Sequence, residues 1–102
     1  MNLLIVDDDT AVAHLMGKIL THDGHIVTTA ASLKEARTKP GPYDVVIADV
    51  RLQNGDGREL QEDYPTTPFV VISGAHGEIP DLYKPFTAEQ LRTAIALAMG
   101  NP

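Results

Sequence analysis

Acidic, hydroxyl and amino side chains follow apolar stretches of this sequence, and together they could carry out phosphoryl chemistry. Asp7–Asp9 follow the run Leu3–Val6, and Asp49 lies near the end of Tyr43–Val50. Ser73 ends the run Phe69–Ser73, and Lys84 follows Asp81–Tyr83. Carboxylates that crowd together repel each other unless a cation offsets their charge, and Mg²⁺ takes one or two carboxylates, waters and a phosphate oxygen. A carboxylate can also be a nucleophile that forms an acyl phosphate, a reaction that needs positive charge and hydrogen-bond donors around the phosphoryl oxygens.

These residue types divide the roles of such a site among them. Asp49 is the candidate nucleophile, Asp7 and Asp8 are the candidate metal ligands, Ser73 is the hydroxyl donor and Lys84 supplies an ammonium group. Taken alone, each has an ordinary interpretation, because aspartates cap helices and most serines and lysines lie at the surface. Their joint occurrence at predicted strand ends favours the functional interpretation.

The rest of the sequence predicts alternating strands and helices. Strands are predicted over Leu3–Val6, His25–Ala30, Tyr43–Val50, Phe69–Ser73 and Asp81–Tyr83. Helices are predicted over Thr10–His22, Thr87–Met99 and a segment from Gly57 to about Tyr64 that is capped by Asp56. A further short helix is predicted to begin at the capping box Ser32–Glu35. This alternation predicts an α/β fold with a doubly wound, five-stranded parallel sheet in the order 2-1-3-4-5. Ligands bind beyond the carboxyl ends of such strands, so the candidate residues should meet at one edge.

Helical periodicity predicts which side chains of the first and last helices are buried. The core-facing residues are expected to be Val12, Leu15, Met16, Ile19 and Leu20 on the first helix, and Ala88, Leu91, Ile95, Ala98 and Met99 on the last, with Leu97 pointing away. The segment Asn54–Gly57, "NGDG", is a hairpin signal by itself, but here we expect it to lead from the third strand into the third helix.

The connection between the fourth and fifth strands is unusually short. A parallel crossover that contains a helix needs about a dozen residues, whereas Gly74–Pro80 supplies seven. Seven extended residues reach roughly 23 Å, which is enough to return beside a short strand. We therefore expect this connector to be a loop, or at most a single turn, with no helix.

Length and composition limit the classes of protein that this chain could belong to. A chain of 102 residues with 43% apolar content predicts one globular domain over residues 1–102. The formal charge of −6 argues against direct nucleic-acid binding, and no apolar run is long enough to span a membrane. The lack of cysteine and of a signal peptide is typical of a cytoplasmic protein. His14, His22, His25 and His76 lack metal-ligand spacing and are expected at the surface.

Four segments, in order and over essentially the whole chain, resemble the signature blocks of response-regulator receiver domains, which have the CheY-like, flavodoxin-like fold. They are "LLIVDDD", "DVVIADVRLQNGDG", "FVVISGA" and "YKPF". The resemblance implies a signalling phosphoacceptor domain of a two-component system or phosphorelay, which assists its own phosphorylation and dephosphorylation and is not an enzyme in the ordinary sense. Its phosphoryl donor would be a histidine kinase or a histidine phosphotransfer protein, and its downstream protein target is unknown.

The same resemblance implies a role for each residue of the site. Asp49 would accept the phosphoryl group, and Mg²⁺ would be held by Asp8 directly, by Asp7 through water, by Asp49 and by the backbone carbonyl of Arg51. Ser73 would hydrogen-bond the phosphoryl group, Lys84 would pair with it, and the Lys84–Pro85 peptide bond would be cis.

The sequence departs from the family at the surface that normally signals the phosphorylated state. The fourth helix is expected to be missing, and Asp81 stands where the family usually has a switch aromatic. Tyr83 is a candidate replacement, because it should point to the same side of the strand as Asp81. The loop itself, Leu82 and Phe86, or a partner must then cover the sheet, and Leu97 is a candidate contact of a homodimer formed through strands four and five and the last helix.

Two other functions remain to be weighed. A pseudo-receiver would keep these acids but bind partners without being phosphorylated. The missing helix favours this interpretation, whereas the complete set of site residues argues against it. An aspartyl-nucleophile phosphohydrolase commonly has a second aspartate two residues after the nucleophile, where this chain has Arg51, so we disfavour it.

Overall fold

The computed structural model describes residues 1–75 and 77–100, so the prediction for His76 lies outside the described residues. Seven strands occur, in chain order β1 Asn2–Val6, β2 Ile26–Ala30, β3 Val45–Asp49, β4 Arg51–Leu52, β5 Gly55–Asp56, β6 Phe69–Ser73 and β7 Leu82–Tyr83. Five of them form one parallel sheet in the order β2-β1-β3-β6-β7, while β4 and β5 form a small antiparallel hairpin. The predicted fold and strand order are confirmed.

Helices cover both faces of this sheet and bury its central strands. They are α1 Thr10–His22, α2 Leu33–Arg37, a 3₁₀ turn Gly57–Glu59 that continues into α3 Leu60–Asp63, and α4 Ala88–Ala98. One core lies beneath α1 and α4, and a second lies beneath α2 and α3. The central strands β1 and β3 contribute to both cores, which explains why their sequences are apolar without alternation.

Side chains at the helix starts fix where each helix begins. Asp9 accepts hydrogen bonds from the backbone at the start of α1, and complete capping boxes precede the 3₁₀ turn at Asp56 and α4 at Thr87. At α2, Ser32 caps the helix as predicted, but the carboxylate of Glu35 reaches the N–H of Ala31 and not that of Ser32. These caps set the entry point of each helix behind the strand ends.

Two predicted core positions on the helices are wrong. Leu15 is 51% exposed, because the face of α1 that meets the sheet is centred on Ala13, Met16 and Leu20, with Val12 and Ile19 beside them. Met99 is also exposed, since it lies at the C-cap, beyond the last residue of α4. Leu97 points away from the core as predicted.

The segment after β3 forms a tight turn as well as the start of a helix. Arg51 pairs with Asp56 and Leu52 with Gly55 around the two-residue turn Gln53–Asn54, so the segment forms a short hairpin before the predicted helix begins. Gly57 lies so close to β3 that a Cβ atom placed there would clash with the carbonyl oxygen of Asp49. The turn is therefore packed directly against the end of the strand that carries Asp49.

The connector between β6 and β7 contains no helix in its described residues, Gly74, Ala75 and 77–80, as predicted. Gly77 takes a left-handed conformation with φ of 84°, which favours glycine. Leu82 is buried beneath α4, and Phe86 packs against the same core. Tyr83, which points to the other face of the sheet, is 56% exposed, so Leu82 and Phe86 do not cover that face. Ile79 in the connector is 96% exposed.

The remaining sequence expectations concern histidines and membranes. His14 and His22 are exposed, whereas His25 is half-buried, with its ring 3.2 Å from the N-terminal amine. Within the described part of the chain, no helix combines the length and apolar character needed to cross a membrane.

Candidate functional site

The polar residues at the strand ends converge at the carboxyl edge of the sheet. Asp7 and Asp8 follow β1, Asp49 ends the neighbouring β3, Ser73 ends β6 and Lys84 follows β7. Because all five strands run parallel, the register alone brings these positions to one edge.

Three carboxylates and one ammonium group form the centre of this site. Lys84 Nζ lies 2.5 Å from Asp49 Oδ2 and 2.8 Å from Asp7 Oδ2. The carboxylates of Asp7, Asp8 and Asp49 each offer an oxygen within 4.8 Å of the others. Lys84 therefore contacts Asp7 and Asp49, and the carboxylate of Asp8 lies beside them.

Backbone N–H groups fix the orientation of the two buried aspartates. Asp49 Oδ1 accepts a hydrogen bond of 3.0 Å from the N–H of Arg51, and Asp7 Oδ1 accepts one of 2.9 Å from the N–H of Asp9. Each carboxylate thus presents its second oxygen to Lys84. The N–H of Lys84, directly after β7, donates a hydrogen bond to the carbonyl of Ser73 at the end of β6, and the Lys84–Pro85 peptide bond is cis, as the family resemblance implies.

The charges at this centre are unbalanced. Burial raises the pKa of the Asp7 carboxyl above its ordinary value, although the Lys84 ammonium and the N–H of Asp9 act in the opposite direction. Burial alone would lower the pKa of Lys84, but Asp49 and Asp7 outweigh it and the pKa is raised. One ammonium group therefore faces three carboxylates, and the site has an excess of negative charge.

The donor set fits a hard divalent cation. Asp7 Oδ2 is buried and accepts no hydrogen bond from the residues that the structure describes, so its contact with Lys84 is an ion pair alone. The Lys84 ammonium group, 2.8 Å from this oxygen, offsets only part of the charge of three clustered carboxylates, so a second cation would be favourable here. Mg²⁺ takes carboxylate oxygens together with waters, and Asp8 is exposed where such an ion would keep its waters.

Ser73 contacts a residue that the sequence interpretation did not single out. Its hydroxyl group donates a hydrogen bond of 3.1 Å to Glu78 Oε2, and Glu78 Oε1 lies 2.8 Å from Arg51 Nε. Glu78 is the only acidic residue of Gly74–Pro80. That fact is the one signal in the sequence that could have drawn attention to it, since a short connector must return close to the strand ends.

The position of the usual switch aromatic has a structural use here. The carboxylate of Asp81 accepts a hydrogen bond of 2.7 Å from the N–H of Val71, and the Asp81 N–H donates to the Val71 carbonyl at 2.8 Å. Asp81 therefore extends the pairing of a strand that is only two residues long. The hydroxyl group of Tyr83 donates to the backbone carbonyl of Glu78 at 3.1 Å, so this aromatic is tied to the connector.

Comparison with known proteins identifies the class to which this fold and site belong. The chain belongs to the response regulator receiver domain family, whose profile matches residues 3–91. Receiver domains are signalling domains of two-component systems, in which they act with histidine kinases and output domains.

The chain is similar to particular members of that family. It is 39% identical over 89 residues to the transcriptional regulatory protein GlrR of Escherichia coli K12, which covers 78% of this chain and 19% of GlrR. The beryllofluoride-activated NtrC4 receiver domain dimer superimposes with a TM-score of 0.83 at 29% identity, covering 97% of this chain and 96% of that one. The receiver domain of NtrX from Brucella abortus has a TM-score of 0.80 at 29% identity, with coverage of 98% and 99%. The chain thus spans about a fifth of the length of GlrR.

Proposed function

We propose that this chain is a phosphoacceptor receiver domain in which Asp49 takes a phosphoryl group from a phosphohistidine of a kinase or a histidine phosphotransfer protein. The observation that carries the proposal is the contact of Lys84 with both Asp49 and Asp7, beside the third carboxylate of Asp8. The residues sort into the roles that such a transfer requires: a nucleophile, a metal site and an ammonium group.

The chain's own groups position the reacting atoms. The bond between the donor's imidazole nitrogen and phosphorus breaks while a bond between an Asp49 oxygen and phosphorus forms. The nitrogen leaves with the electron pair and takes a proton from its surroundings. Lys84, already beside Asp49, balances charge on the phosphoryl oxygens, and Ser73 can donate a hydrogen bond to one of them.

Mg²⁺ fits the ligand set of Asp7, Asp8, Asp49 and the backbone carbonyl of Arg51, and when bound it supplies positive charge to the phosphoryl oxygens. The role of Asp7 and Asp8 is to hold that ion in place at the edge of the sheet. The backbone hydrogen bonds on Asp7 and Asp49 keep the carboxylates oriented before the ion binds.

The proposal is tested by incubating the protein with acetyl phosphate and MgCl₂ and recording the intact mass. One phosphoryl group should be gained in the presence of Mg²⁺, and none in EDTA or in the Asp49→Asn variant. If the Asp49→Asn variant gains the same mass at the same rate as the wild type, Asp49 is not the acceptor.

The second candidate is a pseudo-receiver, an interaction module that does not use phosphate. The loop that replaces the usual helix favours it, because the surface that normally reports phosphorylation is remodelled. A titration with Mg²⁺ that follows the amide signals of Asp8, Asp49 and Arg51 separates the two. A phosphoacceptor binds the ion and shifts these signals, whereas a pseudo-receiver has no need to.

The exposed residues of β7 and α4 are our candidate for the output surface of the domain. We propose that partners, or a second copy of the chain, meet the region of β7 and α4, where Tyr83 and Leu97 are exposed. Phosphorylation would change binding there through Tyr83, whose hydroxyl group is bound to the connector. Size-exclusion chromatography with and without beryllofluoride tests for a dimer, and a Leu97→Gln variant should weaken any dimer that forms.

A further inference from the structure

Glu78 connects the proposed phosphoryl site to the shortened connector. Its carboxylate accepts a hydrogen bond from the buried hydroxyl group of Ser73 with one oxygen and pairs with Arg51 through the other. The Glu78 side chain is only 16% exposed, and Arg51 lowers the pKa of its carboxyl below the ordinary value. The residue is therefore a fixed anion within the site.

The hydroxyl group of Ser73 cannot serve two anions at once. A serine hydroxyl has a single proton to donate, and here that proton is directed at Glu78. The N–H of Ala75 donates to the same hydroxyl oxygen at 3.0 Å, which leaves the proton free to face an anion. A phosphoryl group on Asp49 would need the same proton, and its negative charge would repel the Glu78 carboxylate.

We propose that Glu78 is an internal competitor of the phosphoryl group: it holds Ser73 and Arg51 while Asp49 is unphosphorylated and is displaced when Asp49 carries phosphate. This inference rests on the proposed function of Asp49. On displacement, the hydrogen bond that the Ser73 hydroxyl group donates to a Glu78 carboxylate oxygen is donated to a phosphoryl oxygen instead, so one hydrogen bond replaces another. Glu78 then opposes phosphorylation and lowers the rate at which Asp49 gains a phosphoryl group.

The same displacement acts on the connector. The backbone carbonyl of Glu78 is bound by the hydroxyl group of Tyr83, so the residue is attached to the site by its side chain and to β7 by its main chain. When the side chain leaves Ser73, one of these attachments is lost. The left-handed Gly77 directly before Glu78 gives the loop a place to rotate.

The test compares phosphorylation rates of the wild type, Glu78→Ala and Glu78→Gln, with acetyl phosphate at saturating Mg²⁺ and intact mass as the readout. Glu78→Ala should be phosphorylated about tenfold faster, the change that corresponds to one hydrogen bond from a neutral hydroxyl group to a charged carboxylate. Glu78→Gln should be faster by a smaller factor, since the amide can still accept from Ser73 but carries no charge. Glu89→Gln, an exposed acid on α4, makes the same change of net charge and should match the wild type.

A second measurement separates competition from a general effect on structure. In a Ser73→Ala background, Glu78→Ala should lose most of its effect, because the contested proton is gone. Beryllofluoride should also shift the side-chain carboxyl signal of Glu78 in the wild type.

Each outcome decides one question. If the wild type is phosphorylated but neither Glu78 variant is faster, the competition is disproved and the acceptor role of Asp49 stands. If the wild type takes up no phosphoryl group from any donor, the proposed function itself fails.

Discussion

The ammonium group of Lys84 and the carboxylate of Asp49 are in contact at 2.5 Å, although 35 positions separate them in the chain. Their strands are not neighbours in the sheet, since β6 lies between β3 and β7. The same ammonium group also contacts Asp7 on a third strand. Lys84 therefore holds together the ends of β1, β3 and β7 at the carboxyl edge of the sheet.

Replacing Lys84 should destabilise the domain strongly. In Lys84→Met the carboxylates of Asp7 and Asp49 face each other without a cation, and breaking a buried ion pair from one side costs about 3–5 kcal/mol. Urea unfolding without metal measures the loss, and Mg²⁺ should restore part of it. Lys18→Met, an exposed lysine on α1, is the matched control and should change stability by less than about 0.5 kcal/mol. A loss in Lys84→Met no larger than in this control would contradict the account.

Removing the charge of Asp7 should have opposite effects with and without metal. Without Mg²⁺, Asp7→Asn should be more stable than the wild type by roughly 1–2 kcal/mol, because a buried and poorly satisfied charge is gone. Adding Mg²⁺ should raise the melting temperature of the wild type but not that of the variant. Asp9→Asn is the control, since asparagine also caps helices and Asp9 is outside the group of clustered carboxylates. If Asp7→Asn still gains stability from Mg²⁺, Asp7 is not needed for the metal site.

A methyl group at Gly57 should disturb the end of β3. Its Cβ would lie 2.1 Å from the Asp49 carbonyl oxygen, so Gly57→Ala must move the backbone and should cost about 1–3 kcal/mol. Phosphoryl uptake should fall as well, because Asp49 moves with the strand. At Gly17 in α1 the nearest atom to a new Cβ is 3.9 Å away, and Gly17→Ala should stabilise the helix by about 0.5–1 kcal/mol. Chemical denaturation measures the change in stability, and the rate of mass gain measures phosphoryl uptake. If Gly57→Ala and Gly17→Ala have the same stability and the same rate of uptake, this placement of Gly57 is wrong.

The attachment of α4 to the end of α1 should depend on pH. Arg92 donates hydrogen bonds to both carboxylate oxygens of Asp23 and lowers the pKa of that carboxyl below its ordinary value of 3.8. A lowered folded-state pKa stabilises the fold above the unfolded pKa, and this stability is lost as the pH falls through the folded value. Melting temperatures of the wild type and Arg92→Gln should therefore differ near pH 7 and converge as the pH falls below about 4. A difference that stays constant over this range would show that the Asp23 contact is not the cause.

Much of the fold and of the site was predictable because two simple patterns determine them. Continuous apolar runs at β1, β3 and β6 predict buried parallel strands, and parallel strands bring the residues after them to one edge. The placement of Asp7, Asp49 and Lys84 follows from those patterns alone.

The remaining features depend on contacts that no periodic pattern encodes. Glu78 reaches the site because of the path of one short loop, and Asp81 completes a two-residue strand with its side chain. Leu15 is exposed because the buried face of α1 includes the small Ala13 and is turned away from Leu15. Each of these outcomes is decided by tertiary packing and not by local sequence.

The central claim is tested most directly by locating the phosphoryl group in the chain. The protein is treated with acetyl phosphate and Mg²⁺, reduced with borohydride, which converts an aspartyl phosphate to homoserine, and digested for peptide mass spectrometry. The account predicts homoserine at position 49 and nowhere else in the chain. Homoserine at another aspartate, or a phosphoryl group found only on a serine, threonine or histidine, would contradict it.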